Sequence, residues 1–257
     1  MENCPGFLDL PAREQKPRRQ GITHVLDKGM PTTTLEVLLT ETGHLIDVLK
    51  IGWGIGYVDR MAKQRVALCV ATGVTVCLGG TLLEIAAIQG RVTDLRRWAA
   101  DIGVDAIEVS NGLQAFDSAA KTALVRSLSA DFVVLAETGA KDAHVPVVAE
   151  QWLAEMEADL EAGARWVIAE GRESGTVGLY DADGHVRGNL IEAIAARVPP
   201  DRVIFEAPLK PQQAWFIRRF GASANLGNVP PEETLPLETL RLGLRADTAE
   251  TVGGARR

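Results

Sequence analysis

The amino-acid sequence predicts a single-domain α/β fold, a (β/α)8 TIM barrel, and three observations carry that prediction. Short runs of apolar, largely β-branched residues alternate with helical stretches along the whole chain. Those runs are continuous rather than alternating in polarity, as strands covered by helices outside and packed within a barrel should be. Eight such strand–helix units, each of roughly 20–35 residues, fit into the 257 residues, about the length the architecture needs. A doubly wound open sheet is the rival reading, but eight units would make that sheet unusually wide.

In chain order, residues 1–15 read as a flexible N-terminal arm, 16–248 as the barrel and 249–257 as a frayed tail. The basic run Lys16-Pro17-Arg18-Arg19 fits a solvated face better than an anion site. Ile22-Thr23-His24-Val25-Leu26 forms the first strand, ended by Asp27-Lys28-Gly29, and His24 within it reads as a structural histidine. A helix over 34–42 is closed by Gly43, and a second strand over 45–51 carries Lys50 near its end. Residues 58–71 read as one long helix stopped by Gly73, before a third strand over 74–78 that gives way to Gly79-Gly80-Thr81 and Glu84. Val92, Leu95, Trp98, Ala99 and Ile102 recur at helical spacing, which is core packing.

The fourth strand, 106–109, carries Glu108 and leads into Ser110-Asn111-Gly112, and a helix fills 118–128. The fifth strand, 132–135, leads to Glu137 and Lys141. Val148, Trp152, Leu153, Met156 and Leu160 then form one apolar helix face. The sixth strand, 166–169, ends at Glu170-Gly171-Arg172-Glu173, and Asp183-Gly184 signals a tight hairpin before a helix over 189–198. Val203-Ile204-Phe205 forms the seventh strand, ending in Glu206 with Lys210 four residues on. Its helix opens at Pro211 and closes at Gly221. The eighth strand ends in Gly227-Asn228, and residues 235–244 form the last helix.

Composition limits the function. An apolar content of 46% is ordinary for a globular protein, and a net charge of −7 argues against a general nucleic-acid or anionic-membrane surface. Three cysteines without metal spacing fit a reducing compartment, and Cys77 in its apolar run reads as a buried small hydrophobe. Pro5, Pro11 and Pro17 among charges make neither a signal peptide nor a membrane span, so a cytoplasmic location is expected.

In parallel α/β folds the chemistry gathers where strands leave toward helices. Here those positions hold Asp27, Lys28, Lys50, Glu84, Glu108, Asn111, Glu137, Lys141, Glu170, Arg172, Glu173, Glu206, Lys210, Asn225 and Asn228. So many charges at one mouth call for a metal or a charged substrate to pair with them. Carboxylates without a histidine pair favour a hard ion such as Mg²⁺, and the lysines with Arg172 favour an anionic substrate. Gly227-Asn228 sits where barrels often bind phosphate through backbone N–H groups. There is no dinucleotide fingerprint, no P-loop and no nucleophile elbow.

The motifs taken together resemble the phosphosulfolactate synthase family. They are Lys16-Pro17-Arg18, Asp27-Lys28-Gly29, Lys50-Ile51-Gly52-Trp53-Gly54, Gly79-Gly80-Thr81-Leu82, Glu170-Gly171-Arg172-Glu173-Ser174-Gly175, Phe205-Glu206-Ala207-Pro208, Gln212-Gln213, Asn225-Leu226 and the segment from Leu240 to Arg245. The resemblance implies a (β/α)8 barrel that adds sulfite to phosphoenolpyruvate with Mg²⁺, giving (2R)-phospho-3-sulfolactate on a route to coenzyme M. It implies Lys141 as the acid that protonates C2. On this reading Glu108, Glu137 and Glu170 are expected to hold the metal, and Arg172 and Glu206 to act with Lys141 in catalysis. Lys28, Lys50, Arg172, Lys210, Gly227 and Asn228 are expected to bind substrate or its phosphate. The expected partners are small anions, phosphoenolpyruvate and sulfite, and other copies of the chain in a homo-oligomer. Neither nucleic acid nor membrane is expected.

Two departures from the family stand out. Ile55-Gly56 replaces a Thr-Ser pair after Gly-Trp-Gly, and Ala140 replaces the first of two adjacent lysines. A related lyase using another nucleophile or acceptor, and a non-enzymatic interaction protein of the heat-stress type, are the alternatives.

Overall fold

The structure, a computed structural model, describes residues 5–139 and 145–251. Eight parallel strands close into a barrel in chain order: β1 (Thr23–Asp27), β2 (Val48–Ile51), β3 (Thr75–Leu78), β4 (Ala106–Val109), β5 (Val133–Thr138), β6 (Trp166–Ala169), β7 (Val203–Glu206) and β8 (Leu226–Val229). Helices cover them: α1 (Thr32–Thr42), α2 (Ile55–Val58), α3 (Ala62–Ala71), α4 (Gly80–Ile88), α5 (Val92–Ile102), α6 (Ser118–Leu128), α7 (Ala149–Glu161), α8 (Gly188–Arg197), α9 (Lys210–Phe220) and α10 (Thr234–Arg241). The outward strand residues, such as Leu49, Val76, Ile107 and Phe205, pack under the helices in one core. Among the described residues no helix is long and apolar enough to cross a membrane.

The inner face is layered. Side chains alternate across a strand with period two, so every second residue points to the barrel axis. Ile22, Val48, Cys77, Ala106, Leu135, Trp166, Ile168 and Ile204 form an apolar floor. Two residues further toward the carboxyl end the inner position turns polar: Ile22 gives way to His24, Val48 to Lys50, Ala106 to Glu108, Leu135 to Glu137, Ile168 to Glu170 and Ile204 to Glu206, all buried. The chain therefore sets its charges one layer above a dry plug.

Several elements differ from the sequence prediction. The helix expected over 58–71 is two, because Asp59 turns the chain: its Oδ1 accepts the Met61 N–H (2.8 Å) and its Oδ2 the Arg65 Nε (2.9 Å). α4 was not foreseen, since its Leu82, Leu83, Ile85, Ala86, Ala87 and Ile88 leave no polar stripe to mark a helix. The second strand starts only at Val48, after a 3-10 turn at Gly43–Leu45, and β5 runs on to Thr138, so Glu137 is a strand residue.

The amino-terminal end is closed by cations on carbonyls. Lys16 Nζ donates to the Gly43 and Ile46 carbonyls (3.1 and 2.6 Å), and Arg18 pairs with Asp47 at 3.1 Å, so this basic run is a structural clasp rather than a solvated face. Arg13, within the segment expected to be flexible, is anchored on Glu238 at 2.9 Å. The buried Arg241 donates to the Ala222, Ala224 and Ile22 carbonyls. Asn225 belongs to this end as well: it accepts the Ile22 N–H and donates to the Pro200 and Val203 carbonyls.

Candidate active site

At the carboxyl end of the strands lies a cavity of about 260 Å³, lined by Lys50, Glu108, Glu137, Glu170, Arg172, Glu173, Glu206 and Asn228 on its polar side. Leu26, Trp53, Leu113 and the Gly79-Gly80-Thr81 turn complete the wall. Lys50 Nζ sits between two carboxylates, 2.8 Å from Glu108 Oε2 and 3.2 Å from Glu206 Oε1. Burial disfavours its charge, but Glu108, then Glu206 and Glu137, outweigh burial and hold its pKa well above the usual lysine value. Lys50 is therefore a fixed cation of the barrel interior.

The loop after β6 is built around Glu206. Its Oε2 accepts the backbone N–H of both Gly171 and Arg172 at 2.9 Å, and Glu170 Oε1 takes the Arg172 N–H at 2.7 Å. These bonds hold Arg172 in the left-handed region (φ 57°), where a non-glycine residue is strained, and so hold its side chain at the cavity. The turn tolerates no side chain nearby: a Cβ on Gly171 would lie 2.6 Å from the Tyr180 ring, and one on Gly178 would lie 2.1 Å from the Glu170 carbonyl oxygen. Tyr180 is buried and its hydroxyl donates to the Glu206 carbonyl. Gln212, from α9, donates to the Gly175 carbonyl at 2.8 Å and clamps the far end of the loop.

Glu137, Glu170 and Glu206, at the carboxyl ends of three consecutive strands, each offer an oxygen within 4.8 Å of the others. Carboxylate oxygens gathered this closely could hold a divalent cation. The donor set is all carboxylate oxygen, which suits Mg²⁺. The expected set was Glu108, Glu137 and Glu170; by the spacing of their oxygens it is Glu206 that groups with Glu137 and Glu170.

Other predicted residues lie elsewhere. Lys28 is exposed and does not line the cavity. Lys210 points away to Asp247, 3.1 Å distant, because it opens α9 on the outer side of the ring. Asp27 accepts the Gly29 and Met30 N–H groups and pairs with Arg65 at 2.7 Å, while Glu84 binds Ser110 and the Leu113 N–H. Asn111 closes its own loop on Phe116. Gly227 does not line the cavity, and a Cβ there would meet Ile204 at 2.9 Å. Lys141 lies outside the described residues. Sequence reasoning missed His24 and Trp53 as parts of this end. Trp53 lines the cavity at φ 49°, and its sequence signals were its place between two glycines and within the family motif that follows Lys50.

A family model described as (2R)-phospho-3-sulfolactate synthase matches residues 11–247. The chain belongs to the phosphosulfolactate synthase family. It is 39% identical over 252 residues to the phosphosulfolactate synthase of Methanothermobacter thermautotrophicus, covering 96% of this chain and 97% of the relative. Relatives of that name from Methanocaldococcus jannaschii and Bacillus subtilis are 40% and 37% identical, covering 94% and 97% of their own lengths. The 3-hexulose-6-phosphate synthase of Salmonella typhimurium shares the fold alone, with a TM-score of 0.54 at 12% identity over 85% of this chain and 97% of that one.

As a member of a family of phosphosulfolactate synthases the chain is an enzyme, which sets aside the reading as a non-enzymatic interaction protein. The Ile55-Gly56 departure falls away from the cavity. A Cβ on Gly56 would point at Leu78, Trp98 and Ile51, the closest of them 3.2 Å away, and neither residue lines the pocket.

Proposed function

We propose that this enzyme adds sulfite to phosphoenolpyruvate to give (2R)-phospho-3-sulfolactate, with Mg²⁺ as its cofactor. The observation that carries the reading is the convergence of Glu137, Glu170 and Glu206 beside Lys50 and Arg172 in one cavity of metabolite size. The names of the relatives supply the product, phosphosulfolactate, and the family resemblance supplies the substrate pair.

The sulfur lone pair of sulfite attacks C3 of phosphoenolpyruvate, the C2–C3 π pair moves toward the substrate carboxylate, and a proton is then delivered to C2. Bound Mg²⁺, held by Glu137 and Glu170 with Glu206 in reach, would supply the electrophile that stabilises this developing charge. Arg172, aimed by the two carboxylates on its own N–H, provides a guanidinium fork for a carboxylate or phosphate. Lys50 pairs with Glu108 and Glu206 and holds both in place. Lys141 is carried into the role of the C2 acid by family resemblance.

Purified enzyme given phosphoenolpyruvate, sulfite and Mg²⁺ is expected to yield a sulfonated phosphoester by ³¹P and ¹³C NMR. Activity should vanish in excess EDTA and return with Mg²⁺ or Mn²⁺. No product under these conditions rejects the substrate pair, and full turnover in chelator rejects the metal. Lys141→Met should lower kcat by roughly 10²–10⁴ while phosphoenolpyruvate still binds. A raised KM with kcat spared would instead make Lys141 a binding residue.

A further inference from the structure

The closure of the barrel between β8 and β1 is irregular. Thr23 pairs with Leu226 and Val25 with Val229, so the single residue His24 stands opposite two, Gly227 and Asn228. That is the count of a β-bulge, a device that re-aims a side chain. Asn228 takes a left-handed conformation within it (φ 51°). Its N–H is received by the Nδ1 of His24 at 3.3 Å, a side chain standing in for the carbonyl the register shift removed.

Three further features belong to this arrangement. The position before the bulge residue is glycine, and a Cβ there would lie 3.3 Å from His24 Nδ1, so Gly227 leaves the imidazole its approach. His24 is fully buried, and burial followed by the Lys50 ammonium brings its pKa down to about 3. The ring is thus neutral, with Nδ1 free to accept and the proton on Nε2. Finally, Asn228 is 95% buried yet lines the cavity, and its Oδ1 has no hydrogen-bond partner among the described residues. A buried carboxamide left open toward a cavity is a group arranged for a ligand.

We propose that His24 is a positioning residue whose Nδ1 pins the β8 bulge and thereby aims the Asn228 carboxamide at an anionic group, carboxylate or phosphate, of the bound substrate. The inference rests on the proposed function for the identity of that substrate and replaces the backbone N–H groups of Gly227-Asn228 as the anion contact, since the Asn228 N–H is engaged by His24. The carboxamide meets the anion through its NH₂ group.

The test combines kinetics, binding and structure. Asn228→Gly keeps the left-handed backbone without strain and removes only the carboxamide. It should lower kcat/KM by about 10- to 100-fold, the worth of one hydrogen bond to a charged group. His24→Leu removes the acceptor and should show a similar loss. His24→Asn, whose Oδ1 can occupy the place of Nδ1, should recover most of it. In the double variant His24→Leu/Asn228→Gly the losses should not add. A crystal structure of His24→Leu should show Asn228 relaxed to negative φ.

Additive losses, or Asn228 still at positive φ in His24→Leu, would overturn the pinning. An unchanged kcat/KM in Asn228→Gly would overturn the contact, and that variant decides the matter if His24→Leu does not fold. If the wild-type protein neither binds phosphoenolpyruvate by calorimetry nor turns it over, the proposed function fails, and the crystal structure of His24→Leu still decides the pinning.

Discussion

Glu206→Gln is expected to lower kcat by on the order of 10³, although it changes one oxygen to NH₂. The hydrogen-bond partners of this carboxylate are all donors: the Lys50 ammonium at one oxygen, the Gly171 and Arg172 N–H groups at the other. Whichever way the carboxamide turns, its NH₂ faces a donor in a buried place, and one of the two contacts is lost. If the loop contact goes, Arg172 loses one of the two carboxylates that hold it at φ 57° and its guanidinium leaves the cavity. If the Lys50 contact goes, the ammonium keeps only Glu108 of its two ion-pair partners. Stability should fall by about 1–3 kcal/mol, the cost of leaving a buried polar group unsatisfied. Steady-state kinetics beside urea unfolding measures both, and a kcat within a few-fold of wild type would remove Glu206 from the centre of the site.

Lys50→Met should have its largest effect on folding. It leaves Glu108 and Glu206 facing each other in the barrel interior without the cation between them. Removing one partner from a buried ion pair costs about 3–5 kcal/mol, because the remaining charge is uncompensated. The pH dependence has a definite sign. In the variant at least one of these carboxylates acquires a folded-state pKa above its unfolded value, so the folded state binds more protons in that window. The destabilisation of Lys50→Met relative to the wild type therefore shrinks as the pH is lowered from 8 toward 5. In the wild type the folded-state pKa of Lys50 is raised above the unfolded value near 10.5, so its contribution is complete below that value and is lost only as pH climbs through the raised pKa. Urea midpoints for both proteins at pH 5 and pH 8 check this, and a wild-type-to-variant difference that is the same at both pH values would show that Lys50 does not compensate the pair.

Much of this end of the barrel could be read from the chain. Glu108, Glu137, Glu170 and Glu206 each follow a short apolar run, and that position alone places them at the carboxyl rim. Lys210 has the same local signature as Lys50, a lysine close to a strand, yet one pairs with Asp247 outside and the other lies in the interior. The difference is pleat and distance: Lys50 is inside β2 at an inward position, whereas Lys210 begins a helix four residues beyond β7. Glu84 and Asp27 were indistinguishable in sequence from ligand carboxylates. Each is engaged by loop N–H groups and, for Asp27, by Arg65, which lies 38 residues further along the chain.

By itself the sequence determined the barrel, because alternation of apolar runs, helical stripes and stop residues is local information, and it determined that acids crowd one rim. Which of those side chains meet was decided only in three dimensions. Lys50 finds Glu206 across 156 residues of sequence and His24 finds Asn228 across 204, contacts that exist only once the sheet closes on itself. The bulge opposite His24 is likewise a product of closure. β8 must fit the register of β1 as the last strand to join the ring, and the residue left over is the one turned into the cavity.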